Sequence, residues 1–285
     1  MTVWQKAIAA AAAAGLVAVG GAVLLPAKDA PQRAAFASMA DPAAPAEVWA
    51  IGDGAAGNRP ARCMAARIVN ADPARVLYLG DVYEAGTPSE FRTRFAAIYG
   101  PLLKRMAPTP GNHEWSGHRS GYDPFWKSVT GVPTPYRYAF DVGGWHVVSL
   151  NSETPSDPAQ LRFLRGQLGN PCTLAFWHRP RFSAGTHGDQ RDIASLWQTL
   201  LGRAALVLSG HDHDMQRLKP VGGTTQIVAG AGGRDLYPVR GRDRRLAFSD
   251  DRHYGALRLR LSPGRARLAF VALNGRVLDR STVSC

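Results

Sequence analysis

The chain is short of lysine. Of 34 basic residues only Lys6, Lys28, Lys104, Lys127 and Lys219 are lysines, so the formal charge of +12 is carried by arginine. It is shorter still of cysteine, with Cys63, Cys172 and Cys285. None of the three has the spacing of a zinc site, and nothing beside them marks a catalytic thiol. An odd number allows at most one internal bridge; three pairings are open, and the sequence does not choose among them. No internal repeat and no low-complexity tract interrupts the folded part. At 45% hydrophobic and 20% charged residues the composition excludes a fibrous or globally disordered chain. The length of 285 residues allows one large domain or two small ones. Arginine at this level attracts phosphate, nucleic acid or anionic surfaces, or simply reflects a genome rich in G and C. It clusters at Arg234, Arg240, Arg242, Arg244 and Arg245 without the interleaved aromatics of a single-strand-binding platform. No specific nucleic-acid partner is expected.

Charge is nearly absent at the start: Lys6 stands alone before Lys28, with the apolar run Ala7 to Leu25 between them. This is the pattern of a secretory signal, and Ala35-Phe36-Ala37 offers a cleavage site after Ala37. The run is also long enough to stay in a bilayer as an N-terminal anchor. No cysteine follows it closely, against a lipoprotein, and no arginine pair precedes it, against twin-arginine export. Residues 1–37 are therefore expected to be a signal peptide or anchor, 38–46 a linker and 47–285 the main folded domain. A secreted or extracytoplasmic location follows, with membrane attachment only through an uncleaved N-terminal segment. Cysteines in such a setting tend to pair.

Short apolar runs alternate with helical periodicity in the first two thirds. Strands are expected at Val48–Ile51, Val76–Leu79, Met106–Thr109, Thr173–Trp177 and Ala205–Leu208. Helices are expected at Arg59–Val69, Ser89–Tyr99 with Ser89 as N-cap, Ala159–Leu168 and Asp192–Leu201. Gly143-Gly144 sits between two apolar runs as in a hairpin. Later strands follow strands, at Gln226–Val228, Tyr254–Leu261, Arg267–Ala272 and Val277–Asp279. The order predicts an α/β core with added antiparallel sheet.

Five of these strands end in polar clusters: Gly52-Asp53-Gly54, Gly80-Asp81-Val82-Tyr83, Gly111-Asn112-His113-Glu114, Trp177-His178 and Gly210-His211-Asp212-His213. Carboxyl ends of strands are where α/β folds place ligands. Carboxylate, amide oxygen and imidazole are the donors that hard and borderline divalent ions prefer. Two Asp, one Asn and three His match the inventory of a two-metal site with a bridging carboxylate. Singly, each has an ordinary alternative as a turn, cap or core residue. Together, the His211/His213 pair above all, they point to metal.

The blocks, in this order, resemble the calcineurin-like metallophosphoesterases, whose pattern is Asp, Gly-Asp, Gly-Asn-His-Asp/Glu, His, Gly-His-x-His. The stretch Leu79-Gly80-Asp81 … Tyr83-Glu84-Ala85-Gly86-Thr87 and the run Trp177-His178-Arg179-Pro180 look most like the purple acid phosphatase branch. The resemblance spans roughly Glu47 to Gly233. It implies a four-layer αββα sandwich with mixed sheets and a binuclear centre of iron with iron, zinc or manganese. It implies that Asp81 bridges the ions, that Asp53 and His213 hold the first, and that Asn112, His178 and His211 hold the second. His113 would give a hydrogen bond or proton to the phosphoryl or leaving oxygen, and Glu114 would orient His113. Asn112 and His113 would touch the substrate, a small phosphate ester; His187 is a further candidate contact.

Two positions depart from the pattern. Ala55 stands where many relatives have a metal-binding His. Tyr83 lies two residues after Asp81, where the purple acid branch has its tyrosine three residues after. In an extended strand that slip turns a side chain to the opposite face, so Tyr83 as a ligand depends on the loop. These departures keep open a non-catalytic exported binding protein, and the arginine excess keeps open a phosphodiesterase or nuclease on the same site.

Overall fold

The structure, a computed structural model, describes residues 42–131, 133 and 136–285. The expected signal or anchor (1–37) and the first part of the expected linker lie outside these residues. Among the described residues no helix is long and apolar enough to cross a membrane.

Strand alternation builds the architecture. In β1 (Ala46–Ile51), Val48 and Ala50 point into one apolar cluster, Trp49 and Ile51 into another. The first cluster fills the space between two sheets; the second packs under helices. β1 pairs in parallel with β2 (Arg75–Tyr78), which pairs in parallel with β3 (Met106–Pro108). On its other side run the antiparallel strands β11 (Gly255–Ser262), β12 (Arg265–Ala272) and β13 (Val277–Ser284). The second sheet has the order β10 (Leu246–Asp250), β8 (Met215–Leu218), β9 (Thr225–Ala229), β7 (Leu206–Ser209), β6 (Thr173–Phe176), β5 (Trp145–Ser149) and β4 (Tyr138–Val142). Its centre, β5-β6-β7-β9, is parallel and its flanks antiparallel.

Helix Arg59–Ala71, the helical segment 88–99 and helix Tyr122–Thr130 bury Met64, Ile68, Phe91, Phe95 and Trp126 against the first sheet. Helices Pro158–Gln167 and Ala194–Leu200 bury Leu164, Leu196, Trp197 and Leu200 against the second. The result is the expected αββα sandwich with mixed sheets.

One local expectation changes, and two strands appear that the sequence pattern did not mark. The N-cap of segment 88–99 is Thr87, not Ser89: the Thr87 hydroxyl accepts from the Glu90 amide and the Glu90 carboxylate accepts from the Thr87 amide. This reciprocal capping box, with Pro88 at the first helical position, outcompetes a lone serine. Strand β8 shows no apolar alternation because Gln216 is buried and Arg217 pairs with Asp279 at 2.7 Å. β10 is an edge strand with an irregular register.

Of the three open cysteine pairings the structure contains Cys172–Cys285, leaving Cys63 free and exposed. The bridge joins the entry to β6 in one sheet to the residue after β13 in the other. The cysteines are 113 residues apart, so the bond closes a long loop; loop entropy alone is worth about 4–5 kcal/mol. Denaturant unfolding of the Cys172→Ser/Cys285→Ser chain should show a loss of that order, and peptide mapping should recover the Cys172–Cys285 pair. A bridge through Cys63 would contradict the structure.

Candidate metal centre

The site forms where β1, β2, β3, β6 and β7 end. Three of those ends share one device: after a glycine, Asp53, Asp81 and His211 take left-handed backbone conformations, with φ of 59°, 68° and 71°. Non-glycine residues seldom do so, and the strain is tolerated where packing over-determines the turn. Each turn bends its side chain back across the strand ends. The clearance is tight: a Cβ on Gly111 would lie 2.1 Å from Asp81 Oδ1, and one on Gly80 (φ 94°) 2.7 Å from His178 Nδ1.

The donors converge in two groups. In the first, the Tyr83 hydroxyl donates to Asp53 Oδ1 at 2.6 Å and lies 2.9 Å from His213 Nε2, which is 3.5 Å from Asp53 Oδ1. In the second, His178 Nε2 lies 3.0 Å from Asn112 Oδ1, 3.2 Å from His211 Nδ1 and 3.4 Å from Asp81 Oδ1. Asp53, Asp81 and His178 each offer a ligand atom within 4.8 Å of the others, so the two groups adjoin. Donors bound at about 2.1 Å to one ion sit about 3.0–3.4 Å from each other, and the second group has those spacings. The imidazoles are fixed from behind. His178 Nδ1 donates to the Leu79 carbonyl at 2.7 Å and His213 Nδ1 to the Asp235 carbonyl at 2.8 Å, which turns each Nε2 to the site.

Electrostatics point the same way. Asp53, Asp81, His178, His211 and His213 are all buried. Burial would raise the Asp81 carboxyl, but His178 and His113 beside it hold it below the usual carboxylate range. Burial and His178 push His211 far down, so it stays neutral with a free nitrogen. Burial and Asp53 push the Tyr83 phenol far up. Its ionisation would need a cation next to it.

Tyr83 therefore reaches the first group despite the shortened spacing. The left-handed turn at Asp81 and a bridge between Val82 and Ala55 carry it there. Ala55, where relatives have a His, is fully buried in the core beneath.

Other expectations change. Glu114 does not orient His113. Its carboxylate accepts from the Gly111, Asp81 and Val82 amides at 2.8, 3.2 and 3.0 Å, so it clamps the turn that presents Asp81. Burial and Asp81 push that carboxyl up to about 8. His113 is held instead by the Glu84 carbonyl, 2.6 Å from Nδ1, leaving Nε2 3.8 Å from Asp81 Oδ2. The left-handed turn at His211 sends His213 to the first donor group and His211 to the second. His187 lies at the rim, its ring 4.1 Å from that of His211, with Nδ1 3.0 Å from Asp212 Oδ1. His118, His146 and His253 pair with Asp123, Asp141 and Asp250 away from the site, and Tyr122 and Trp126 are core.

Sequence reasoning missed four contributors. Asp212, fully buried, also holds the Ser183 hydroxyl and the His187 amide, and so ties loop 183–189 to the site. Tyr237 stacks on His213 at 4.1 Å. Arg234 lies 4.9 Å over the Tyr83 ring and pairs with Glu84 at 2.7 Å. Asp235 acts through its carbonyl. Only Asp212, inside the His-Asp-His block, carried a signal.

With this geometry in hand, four likenesses are informative. A family model of calcineurin-like phosphoesterases matches residues 47–215. Purple acid phosphatase 21 of Arabidopsis thaliana is 31% identical over 151 residues, 43% of this chain and 35% of that protein. The purple acid phosphatase PPD1 from yellow lupin (Lupinus luteus) seeds superposes with a TM-score of 0.74 at 18% identity, over 85% of this chain and 54% of that one. GAP50 of Plasmodium, described as the anchor in the inner membrane complex, gives 0.71 at 16%, over 85% and 89%. The chain thus spans about a third of the plant relative and about half of the lupin structure. At these identities the solved structures establish the fold alone.

The two assignments of Glu114 predict different outcomes. Removing the acceptor of three buried backbone hydrogen bonds, Glu114→Ala should cost about 3 kcal/mol or more in denaturant unfolding. His113→Ala, partly exposed, should cost less than about 1 kcal/mol. Equal, small losses would return Glu114 to an accessory of His113.

Proposed function

Because the chain belongs to the calcineurin-like phosphoesterase family, we propose that it is a metal-dependent hydrolase of small phosphate monoesters, of the purple acid phosphatase kind. The observation that carries this is the pair of donor groups meeting at Asp81, with buried carboxylates facing imidazoles whose free nitrogens all point inward. Asp53, Tyr83 and His213 would hold one ion, Asn112, His178 and His211 the other, and Asp81 both. Two ions there would supply Lewis-acid activation of water and of the phosphoryl oxygens.

The chain's own residues do the rest. Asn112, half-buried at the mouth, orients the ester. His113, anchored through Nδ1, aims Nε2 at the opening and donates a proton to the departing alcohol oxygen as its bond to phosphorus breaks. His187, braced by Asp212, borders the same opening and contacts the phosphoryl group. Glu114 keeps Asp81 in its strained turn. The Tyr83 hydroxyl beside Asp53 supports a ferric ion in the first position, with iron, zinc or manganese in the second. The Cys172–Cys285 bridge supports export to an oxidising compartment.

Two measurements test this. Turnover of an aryl phosphate monoester, preferred over the matching diester, should fall at least about a hundredfold in Asn112→Ala; unchanged turnover refutes the assignment. The metal-loaded wild type should show a visible absorption band that Tyr83→Phe abolishes. A fully metallated but colourless wild type sinks the tyrosinate–iron assignment.

A further inference from the structure

Away from the metal centre, the outer face of β11, β12 and β13 carries an unbalanced charge. Their inward residues, Leu257, Leu259, Leu261, Ala266 and Leu268, fill the space between the sheets. The alternate residues include Arg258, Arg260, Arg265, Arg267 and Arg280, all but Arg258 exposed. Arg260 stands directly opposite Arg267 across the ladder, and Arg280 opposite Ala269. Like charges in facing positions destabilise a sheet. Arg258, Arg260, Arg267 and Arg280 line a shallow cavity of about 270 Å³ with Thr282. Among the described residues the only carboxylate paired with any of the five is Glu47, on Arg260 at 3.2 Å. Asp279 of β13 is engaged by Arg217 of the other sheet.

The place of this face matters. β1 enters the fold beside it: Pro45 lines a neighbouring cavity with Arg260, Arg265 and Arg267. The metal centre lies beyond the other end of β1, past Ile51. About twenty residues of sequence, including the linker, separate the apolar run Ala7 to Leu25 from the start of β1.

We propose that this arginine face docks on anionic lipid headgroups, seating the domain on a membrane with its metal centre turned to solvent. The face is built of strands, with no exposed aromatic among the described residues for stacking on bases and no helix for a groove, which argues against nucleic acid. A cluster of arginines attracts anionic headgroups, and here it lies beside Pro45, where the chain coming from the apolar segment enters the fold; a short tether raises the local lipid concentration. The inference is independent of the catalytic reading.

Arginine-selective modification with phenylglyoxal, mapped by mass spectrometry, tests it on the full chain. The chain is mixed with excess lipid nanodiscs, either purely zwitterionic or containing phosphatidylglycerol. Anionic lipid should slow modification of Arg260, Arg265, Arg267 and Arg280 at least about tenfold, should spare the exposed helix residues Arg92 and Arg162, and should lose its effect at about 0.5 M salt. Equal rates in both lipids, or slowing that includes Arg92 and Arg162, overturns the proposal. Stronger protection of the face by duplex DNA than by anionic lipid overturns it as well.

Discussion

Two carboxylates, Asp53 and Asp81, sit fully buried among imidazoles, and the rest of the structure is arranged around keeping them there. Burying an ionised group is costly unless it is paired and hydrogen-bonded. Here the compensation is incomplete without cations. Asp53 accepts from Tyr83 and from the His211 amide, and Asp81 from the His113 amide. His178 and His213 hold Nε2 beside these carboxylates, each ring fixed by a carbonyl behind its Nδ1. Such a cluster is stable when positive charge enters it, which couples folding to metal binding.

The backbone follows from the same constraint. A carboxylate at the end of a parallel strand normally projects to one face or the other. Left-handed turns at Asp53, Asp81 and His211 instead bring three strand ends to one point. Their strain is offset locally. Glu114 binds the amides around Asp81, the His211 amide binds Asp53, and Gly111 leaves room that any side chain would fill. The fold supplies rigid strand ends and the loops supply donors, as binding sites on α/β sheets generally do. The fold alone does not settle the activity, since a protein described as an anchor shares it; the donor set decides.

Much of this was legible in the sequence, for physical reasons. Buried parallel strands such as Val76–Tyr78 and Leu206–Ser209 are continuous apolar runs, and each ligand block follows one, so both fold class and donor inventory could be read in order. What could not be read depends on neighbours distant in the chain. The role of Glu114 is set in large part by the Asp81 and Val82 amides, more than thirty residues upstream, and the stacking of Tyr237 on His213 by a loop with no periodicity. Spacing alone would have excluded Tyr83; the turn at Asp81 restores its reach. The cysteine pairing needed both sheets in place. Strand β8 stayed hidden because its polar residues are satisfied by partners across the fold rather than by solvent.

The central claim is that Asp81 stands between two metal ions. Anomalous diffraction from metal-loaded crystals, collected on either side of the absorption edges, addresses it directly. The account predicts two peaks about 3.5–4 Å apart, one bounded by Asp53, Tyr83 and His213, the other by Asn112, His178 and His211, with Asp81 bridging them. A single peak, or peaks that leave Asp81 unligated, would contradict it.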